Sequence, residues 1–165
     1  MRVLGVDTSL RSSGVAVVEE RGSSLVAIEY GTIKTPAGRP VSECLRRLHQ
    51  SIAKLIKRHR PDQVAIEGIF YCKNVRTAVT LGQARGVVVA VCALADVPVF
   101  EYSPRKVKQA VVGYGAAEKD QVRRMVMSLL NLGRKPGEDA GDALAIAICH
   151  LHNNGRHELT ASKPI

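Results

Sequence analysis

The sequence lacks the features that mark secreted and membrane proteins. Its four cysteines form no CxxC pair and show no disulfide-scaffold spacing, as expected of reduced thiols. The apolar run 87–95 is too short to cross a bilayer, which needs about 20 residues. Asp7 interrupts the N-terminal apolar run, so we expect no secretory signal. The sequence therefore predicts a soluble, cytoplasmic protein.

Acidic residues are scarce relative to basic ones. Lys and Arg total 24 against 15 Asp and Glu, which gives a formal net charge of +9. An excess of positive charge on a globular chain favours an anionic partner, with nucleic acid ahead of a membrane surface. The alternative is that the charge only keeps the protein soluble.

The order of predicted elements indicates α/β architecture. Strand patterns cover residues 3–7, 14–18 and 25–33, and the short polar turns between them suit an antiparallel meander. Helices and strands then alternate. The predicted later elements are a helix with Ser42 as N-cap and Pro61 after its end, a strand at 64–67, a helix at 74–95, a strand at 97–102, and helices at 104–112, 118–132 and 139–152.

These elements predict a single domain over residues 1–153. A helical crossover makes the fourth strand parallel to the first, so the fold should be a mixed five-stranded sheet flanked by helices, with its first three strands antiparallel. No internal repeat or long linker divides the chain. Residues 154–165 form a polar tail that we predict to be disordered.

Four acidic residues lie where predicted elements begin or end; we call Asp7, Glu67, Asp139 and Asp142 the four acids. Asp7 and Glu67 end two parallel strands, whose carboxyl ends meet at one edge of a sheet. Asp139 and Asp142 lie one turn apart on a helix and can face the same point. Individually, Asp7 could instead be a turn residue, Glu67 an ion-pair partner and Asp139 a helix N-terminal acid. Asp142 is harder to explain in this way, because the helix that follows it is so apolar.

The four acids together predict a metal site. Acids among apolar neighbours are costly unless their charge is compensated, and ligation by oxygen alone selects Mg²⁺ or Mn²⁺. Two such ions about 4 Å apart can promote phosphodiester hydrolysis. The nearby sequence Cys149-His150-Leu151-His152 lacks a second ligand pair, so we interpret it as a helix end rather than a zinc site.

Basic and aromatic residues near the acids are candidate DNA contacts. Lys108 and Lys119 bracket a glycine-rich turn that can approach a phosphate backbone closely. Phe70 and Tyr71 stand out in a chain with two Phe, four Tyr and no Trp, and could stack on an unpaired base. A core position for Phe70 and a solvated surface for the basic residues are the alternatives. The candidate DNA-binding residues are Phe70, Tyr71, Lys73, Asn74, Arg76, Lys108 and Lys119, and Arg85 is a further basic residue after Glu67.

Motifs along residues 1–153 resemble the RuvC Holliday-junction resolvases. They are VAIEGIFYCKN at 64–74, LGQARG at 81–86, FEY at 100–102, VKQ at 107–109, GYGAAEK at 113–119 and DAGDALA at 139–145. The resemblance implies a ribonuclease-H-like fold, a homodimer, and Mg²⁺-dependent, structure-selective cleavage of four-way DNA junctions in recombination and repair. Two strands of like polarity would be cut symmetrically. A RuvA–RuvB branch-migration complex is a candidate partner.

The resemblance also implies roles for individual residues. The four acids match the metal-binding catalytic acids, with two Mg²⁺ ions per site and Mn²⁺ as a substitute. Phe70 matches the aromatic next to the junction centre, whereas Lys108 and Lys119 match basic residues near the active site and the DNA backbone. The sequence departs from the family pattern at Thr8-Ser9, usually Pro-Gly, and at Gly141, usually Ala.

Two other functions remain as alternatives. A DNA-junction binding module without nuclease activity is compatible with the altered turn after Asp7, although all four acids are retained. A sugar-kinase-like ATPase also has a first strand that ends in Asp followed by Thr or Ser. Such ATPases need two domains of this kind and about twice this length, so this reading ranks last.

Overall fold

Five strands form one mixed sheet in the computed structural model, which describes residues 1–68, 74–154 and 164–165. The strand order is β3-β2-β1-β4-β5. β1, β2 and β3 are antiparallel neighbours, and β4 and β5 are parallel to β1. The predicted sheet is therefore confirmed. The strands are β1 Arg2–Asp7, β2 Ser12–Arg21, β3 Ser24–Lys34, β4 Gln63–Glu67 and β5 Val99–Tyr102.

Helices cover both faces of the sheet. Strand residues alternate between two core clusters: Leu4 and Val6 of β1 pack with α1 and α2, whereas Val3 packs with α3, α4 and α5. The α5 side of the core includes a long run of buried α5 residues, from Ala143 to Cys149. The helices are α1 Val41–His59, α2 Val75–Leu94, α3 Pro104–Val112, α4 Lys119–Leu129 and α5 Glu138–Asn154.

Local rules explain the helix ends that differ from prediction. The expected N-cap Ser42 is wrong, because α1 begins at Val41 after Pro40 and no side chain caps it. Asn74 precedes α2 as its N-cap, and its Oδ1 accepts a hydrogen bond from the Thr77 amide at 3.2 Å. β5 begins at Val99 rather than at residue 97, because the Val97 amide still donates to the Cys92 carbonyl of α2 at 3.0 Å.

Two glycines allow α5 to lie close to the sheet. A Cβ at Gly5 of β1 would overlap the Ala143 carbonyl oxygen, and a Cβ at Gly14 of β2 would overlap the Asp139 backbone. Any other residue at these positions would push α5 outward. The absence of two side chains thus places the start of α5 beside the end of β1.

The surface of α2 is apolar on both its buried and its exposed sides. Ala84 and Val88 are buried in the core, whereas Val75, Val79 and Leu94 are exposed. By length and composition alone, this helix could cross a membrane, which was not expected from the shorter run 87–95. On its buried side, α2 packs against α1 and β5.

The predicted tail lies outside the described residues except at its two ends. Helix α5 extends to Asn154, one residue into the predicted tail. The Ile165 amide donates to the Val99 carbonyl at 2.9 Å, next to the free edge of β5. The disorder predicted for the tail and the domain boundary at 153 stay predictions.

Candidate active site

The four acids come from three elements that meet at one edge of the sheet. β1 and β4 pair in parallel with Val6 opposite Ile66, so Asp7 and Glu67 end their strands side by side. Asp139 and Asp142 lie in the first turns of α5, which Gly14 allows to approach β2 beside Asp7. Each acid is partly exposed. The chain thus brings residues 7, 67, 139 and 142 to one place, as the sequence predicts.

Burial and mutual repulsion disfavour negative charge at this edge. Burial, reinforced by Glu67, Asp142 and Asp139, raises the pKa of Asp7 to about 7. Burial also raises the pKa of Glu67, with Asp142 adding to it. Burial raises the pKa of Asp142 as well. Asp7, Glu67 and Asp142 therefore lie in one environment where burial outweighs the nearby positive charge.

Lys119 compensates part of this negative charge. Its Nζ lies 3.1 Å from Glu138 Oε1 and 3.7 Å from Asp142 Oδ2. The positive charge of Lys119 lowers the pKa of Asp7, of Glu67 and of Asp142, against the larger effect of burial. Lys108 acts in the same direction on Glu67. Sequence reasoning missed Glu138, although its position next to Asp139 at the helix start was a usable signal.

Ser12, at the start of β2, hydrogen-bonds to Asp139 in the first turn of α5. Its Oγ donates to Asp139 Oδ2 at 2.5 Å, a contact between residues 127 positions apart that no sequence motif indicated. The turn that leads to Ser12 is closed by two further hydrogen bonds, since the Ser9 amide donates to Ser13 Oγ at 3.1 Å and that hydroxyl donates to Ser9 O. The Ser13 side chain therefore stabilises the turn in which this sequence departs from Pro-Gly.

A cleft of about 300 Å³ adjoins the acids. Glu67, Asp142, Lys108 and Lys119 form its polar side. Its apolar wall comes from α3, α4 and α5. A cleft with acids and lysines on one side can accept a sugar-phosphate segment, because the lysines can contact phosphate oxygens while the acids lie beside them. The apolar lining residues are Pro104, Val107, Val122, Ala145 and Ile146.

Comparison with known proteins identifies the family. The family model described as crossover junction endodeoxyribonuclease RuvC matches residues 3–150. This chain belongs to the RuvC family. RuvC of Idiomarina loihiensis is 48% identical over 156 residues, which cover 92% of this chain and 88% of that protein. RuvC of Brevibacillus brevis is 47% identical over 151 residues, which cover 91% of each chain.

Solved structures agree with the RuvC assignment. T. thermophilus RuvC in complex with a Holliday junction substrate superposes with a TM-score of 0.93 at 33% identity, over 100% of this chain and 99% of that one. The yeast mitochondrial resolvase Ydc2 superposes with a TM-score of 0.67 at 13% identity, over 92% of this chain and 78% of that one, a likeness of fold alone. The fold is ribonuclease-H-like.

The candidate DNA-binding residues occupy different places in this RuvC fold. Lys108 and Lys119 line the cleft. Arg76 is exposed in the first turn of α2, two residues after the cap residue Asn74. Arg85 instead pairs with Glu101 at 2.7 Å, so its charge is already engaged within the domain. The predicted contacts Phe70, Tyr71 and Lys73 lie outside the described residues.

The donor set of this RuvC site fits a hard divalent cation in type and charge. It consists of carboxylates, and the pKa of Asp7 is raised first by burial and then by the neighbouring acids, both of which a bound cation would offset. Within residues 1–68, 74–154 and 164–165, however, no three His, Cys, Asp or Glu side chains are arranged to hold one ion as they stand. Ser12 and Lys119 engage Asp139 and Asp142, so a cation would compete with them for these ligands.

Proposed function

We propose that this protein is a Mg²⁺-dependent endodeoxyribonuclease that resolves four-way DNA junctions. It cuts two strands of like polarity symmetrically during recombination and repair. The observation that supports this most is the electrostatic coupling of Asp7 to the other three acids at the edge of a RuvC-family sheet. Relatives named crossover junction endodeoxyribonucleases, and a neighbour bound to a Holliday junction, support the substrate.

The four acids are the proposed metal ligands and catalytic residues. They would hold two Mg²⁺ ions, with Mn²⁺ as a substitute. Bound there, the ions would activate a water molecule and stabilise the leaving oxygen of the phosphodiester. Side chains of the protein do the remaining work of binding and orienting the scissile strand.

Two lysines have distinct proposed roles. Lys108 lines the cleft near Glu67, where its ammonium group can contact a phosphate oxygen. Lys119 is held between Glu138 and Asp142, and its charge reduces repulsion among the acids. The apolar cleft wall, which includes Val107 and Ile146, limits the access of water from that side.

The exposed side of α2 is the proposed homodimer interface. Val75, Val79, Gly82, Gly86 and Ala90 recur at helical spacing and are all exposed. A Cβ at Gly82 or Gly86 would meet no atom within 4 Å in the described protomer, so a second backbone can approach closely there. A two-fold dimer suits a substrate cut symmetrically at two places.

Location and further partners are also proposals. A cytoplasmic location is supported by the cysteines, because Cys44, Cys92 and Cys149 are free and buried in the described part of the chain. A RuvA–RuvB branch-migration complex is the proposed partner, on the basis of family membership. Phe70, Tyr71, Lys73, Asn74 and Arg76 are proposed to contact the junction.

A labelled four-way junction and a linear duplex of the same sequence test the function. Each is incubated with the protein in Mg²⁺ and in EDTA. We expect paired symmetric nicks in the junction with Mg²⁺ only, and junction binding without nicks in EDTA. Binding without cleavage in either Mg²⁺ or Mn²⁺ would establish a junction-binding module instead. Equal cleavage of the duplex would contradict structure selectivity.

A further inference from the structure

A buried polar chain crosses the α5-facing side of the sheet behind the acids. His150 of α5 is 1% exposed and Tyr102 of β5 is 2% exposed. The Tyr102 hydroxyl lies 2.7 Å from His150 Nδ1, and His150 Nε2 is hydrogen-bonded to Gln63 Oε1 of β4. One imidazole ring thus connects three elements. We call Tyr102, His150 and Gln63 the polar chain.

When His150 is neutral, the polar chain can be satisfied in one arrangement of donors. Gln63 Oε1 can only accept, so His150 Nε2 carries the proton of the neutral ring, and Nδ1 is left to accept from the Tyr102 hydroxyl. This requires a neutral ring, and burial lowers the pKa of His150 to about 4. The ring also packs against Phe100, with centroids 4.7 Å apart. Hydrogen bonds and packing therefore fix the ring in one orientation.

The polar chain joins β4 and α5, which together carry three of the four acids, to β5. Glu67 and Tyr102 are register partners on β4 and β5, and the Gly68 amide donates to Tyr102 O at 2.9 Å. His150 follows Asp142 by two helical turns on the same side of α5. Ile146, one turn before His150, lines the cleft together with Asp142. A shift of α5 at His150 would therefore move Asp142 relative to Glu67.

Apolar contacts alone would not fix this helix as closely. The contacts of buried side chains such as Leu144 and Ile148 are non-directional, whereas hydrogen bonds to both ring nitrogens depend on the axial position and the rotation of α5. We propose that Tyr102, His150 and Gln63 are positioning residues that fix α5 against β4 and β5 and thereby set the spacing of Asp142 from Glu67. This inference rests on the proposed metal-binding role of these acids.

Three variants and one control test the positioning role. Tyr102→Phe removes one hydroxyl and keeps the ring. A triple variant replaces all three members of the polar chain by apolar groups, which can preserve folding. It combines His150→Leu, Tyr102→Phe and Gln63→Leu. His150→Leu alone removes the central ring and leaves the Tyr102 and Gln63 side chains in place. The control is Val126→Ala, which truncates a buried residue of α4 in the same core cluster outside the polar chain.

Three measurements are made well below each melting temperature. They are Mn²⁺ affinity without DNA by electron paramagnetic resonance, junction affinity in EDTA, and single-turnover junction cleavage. We expect the chain variants to lose about tenfold in Mn²⁺ affinity and in cleavage rate, with unchanged junction affinity. Val126→Ala should melt earlier but keep wild-type values in all three.

The outcomes separate this inference from the proposed function. Wild-type Mn²⁺ affinity and cleavage in Tyr102→Phe and in the triple variant would overturn the positioning role and leave the metal site intact. A wild-type protein that binds no Mn²⁺ would refute the metal site and, with it, this inference. If the triple variant does not fold, Tyr102→Phe decides alone.

Discussion

Gly14 lies directly against the backbone of Asp139. A Cβ at this position would overlap the Asp139 carbonyl group. Gly14 is also the β2 partner of Asp7. One missing side chain thus allows the first turn of α5 to reach the end of β1, and two of the four acids meet because of it.

Gly14→Ala should therefore cost both stability and activity. The new methyl group must displace backbone atoms, and overpacking of this kind costs about 3 kcal/mol of unfolding free energy. Junction cleavage should be lost with the displacement of Asp139. The matched control is Gly31→Ala on β3, where a Cβ would meet nothing within 4 Å in the described residues. Urea unfolding and cleavage are measured on both; equal stability of the two variants would contradict the close approach.

Gly141→Ala should stabilise the protein, in contrast to Gly14→Ala. Its Cβ would lie 3.7 Å from Pro136 Cγ and 3.8 Å from Arg123 Cγ, which is ordinary contact. Alanine is favoured over glycine in a helix by up to about 1 kcal/mol, so the melting temperature should rise while cleavage is kept. Gly5→Ala is the contrasting variant, because its Cβ would overlap the Ala143 carbonyl oxygen. A melting temperature for Gly141→Ala below that of the wild type would contradict the prediction that a methyl group at position 141 fits and stabilises α5.

The sheet and the placement of the acids could be predicted because they follow from local patterns. Apolar runs that end in Asp7 and Glu67 indicate strand ends, and a crossover helix makes those strands parallel. The i, i+3 spacing of Asp139 and Asp142 requires only a helix to put them on one side. No tertiary contact is needed for these steps.

Contacts between distant residues could not be predicted in this way. Ser12 and Asp139 are 127 positions apart, and Gln63 and His150 are 87 apart. Nothing in the composition near any of these residues indicates its partner, since the contact depends on how α5 packs across the sheet. The same holds for Arg85, a basic residue on a candidate DNA-binding segment that proved to pair with Glu101.

His150 should make stability depend on pH. Burial depresses its folded pKa from the ordinary 6.5 to about 4, so the unfolded chain takes up a proton first as pH falls. The contribution is complete above pH 6.5 and is lost progressively down to pH 4, by about 3 kcal/mol in all. The unfolding free energy, measured with urea at pH values across this range, should depend less steeply on pH in His150→Leu than in the wild type. The exposed-residue control His49→Asn should keep the wild-type slope, and an equal slope in His150→Leu would contradict the prediction.

Removal of any of the four acids should abolish cleavage but not binding. Asp7→Asn, Glu67→Gln, Asp139→Asn and Asp142→Asn each remove the charge of a proposed metal ligand and leave the basic surface unchanged. Single-turnover cleavage and junction affinity in EDTA are the measurements. Glu20→Gln, an exposed acid near the opposite end of β2, should behave as wild type. Wild-type cleavage in any two of the acid variants would be incompatible with a shared site.

Lys108 and Lys119 should respond differently to salt. Lys108→Ala should remove a phosphate contact, so the slope of log affinity against log salt becomes shallower by about 0.9 and the loss of binding is greatest at low salt. Lys119 is engaged by Glu138 and Asp142, so Lys119→Ala should slow cleavage more than it weakens binding and should change the salt slope little. Lys57→Ala, on the exposed side of α1, is the control for a general charge effect. Identical slope changes in the Lys108 and Lys119 variants would show that both lysines act as phosphate contacts.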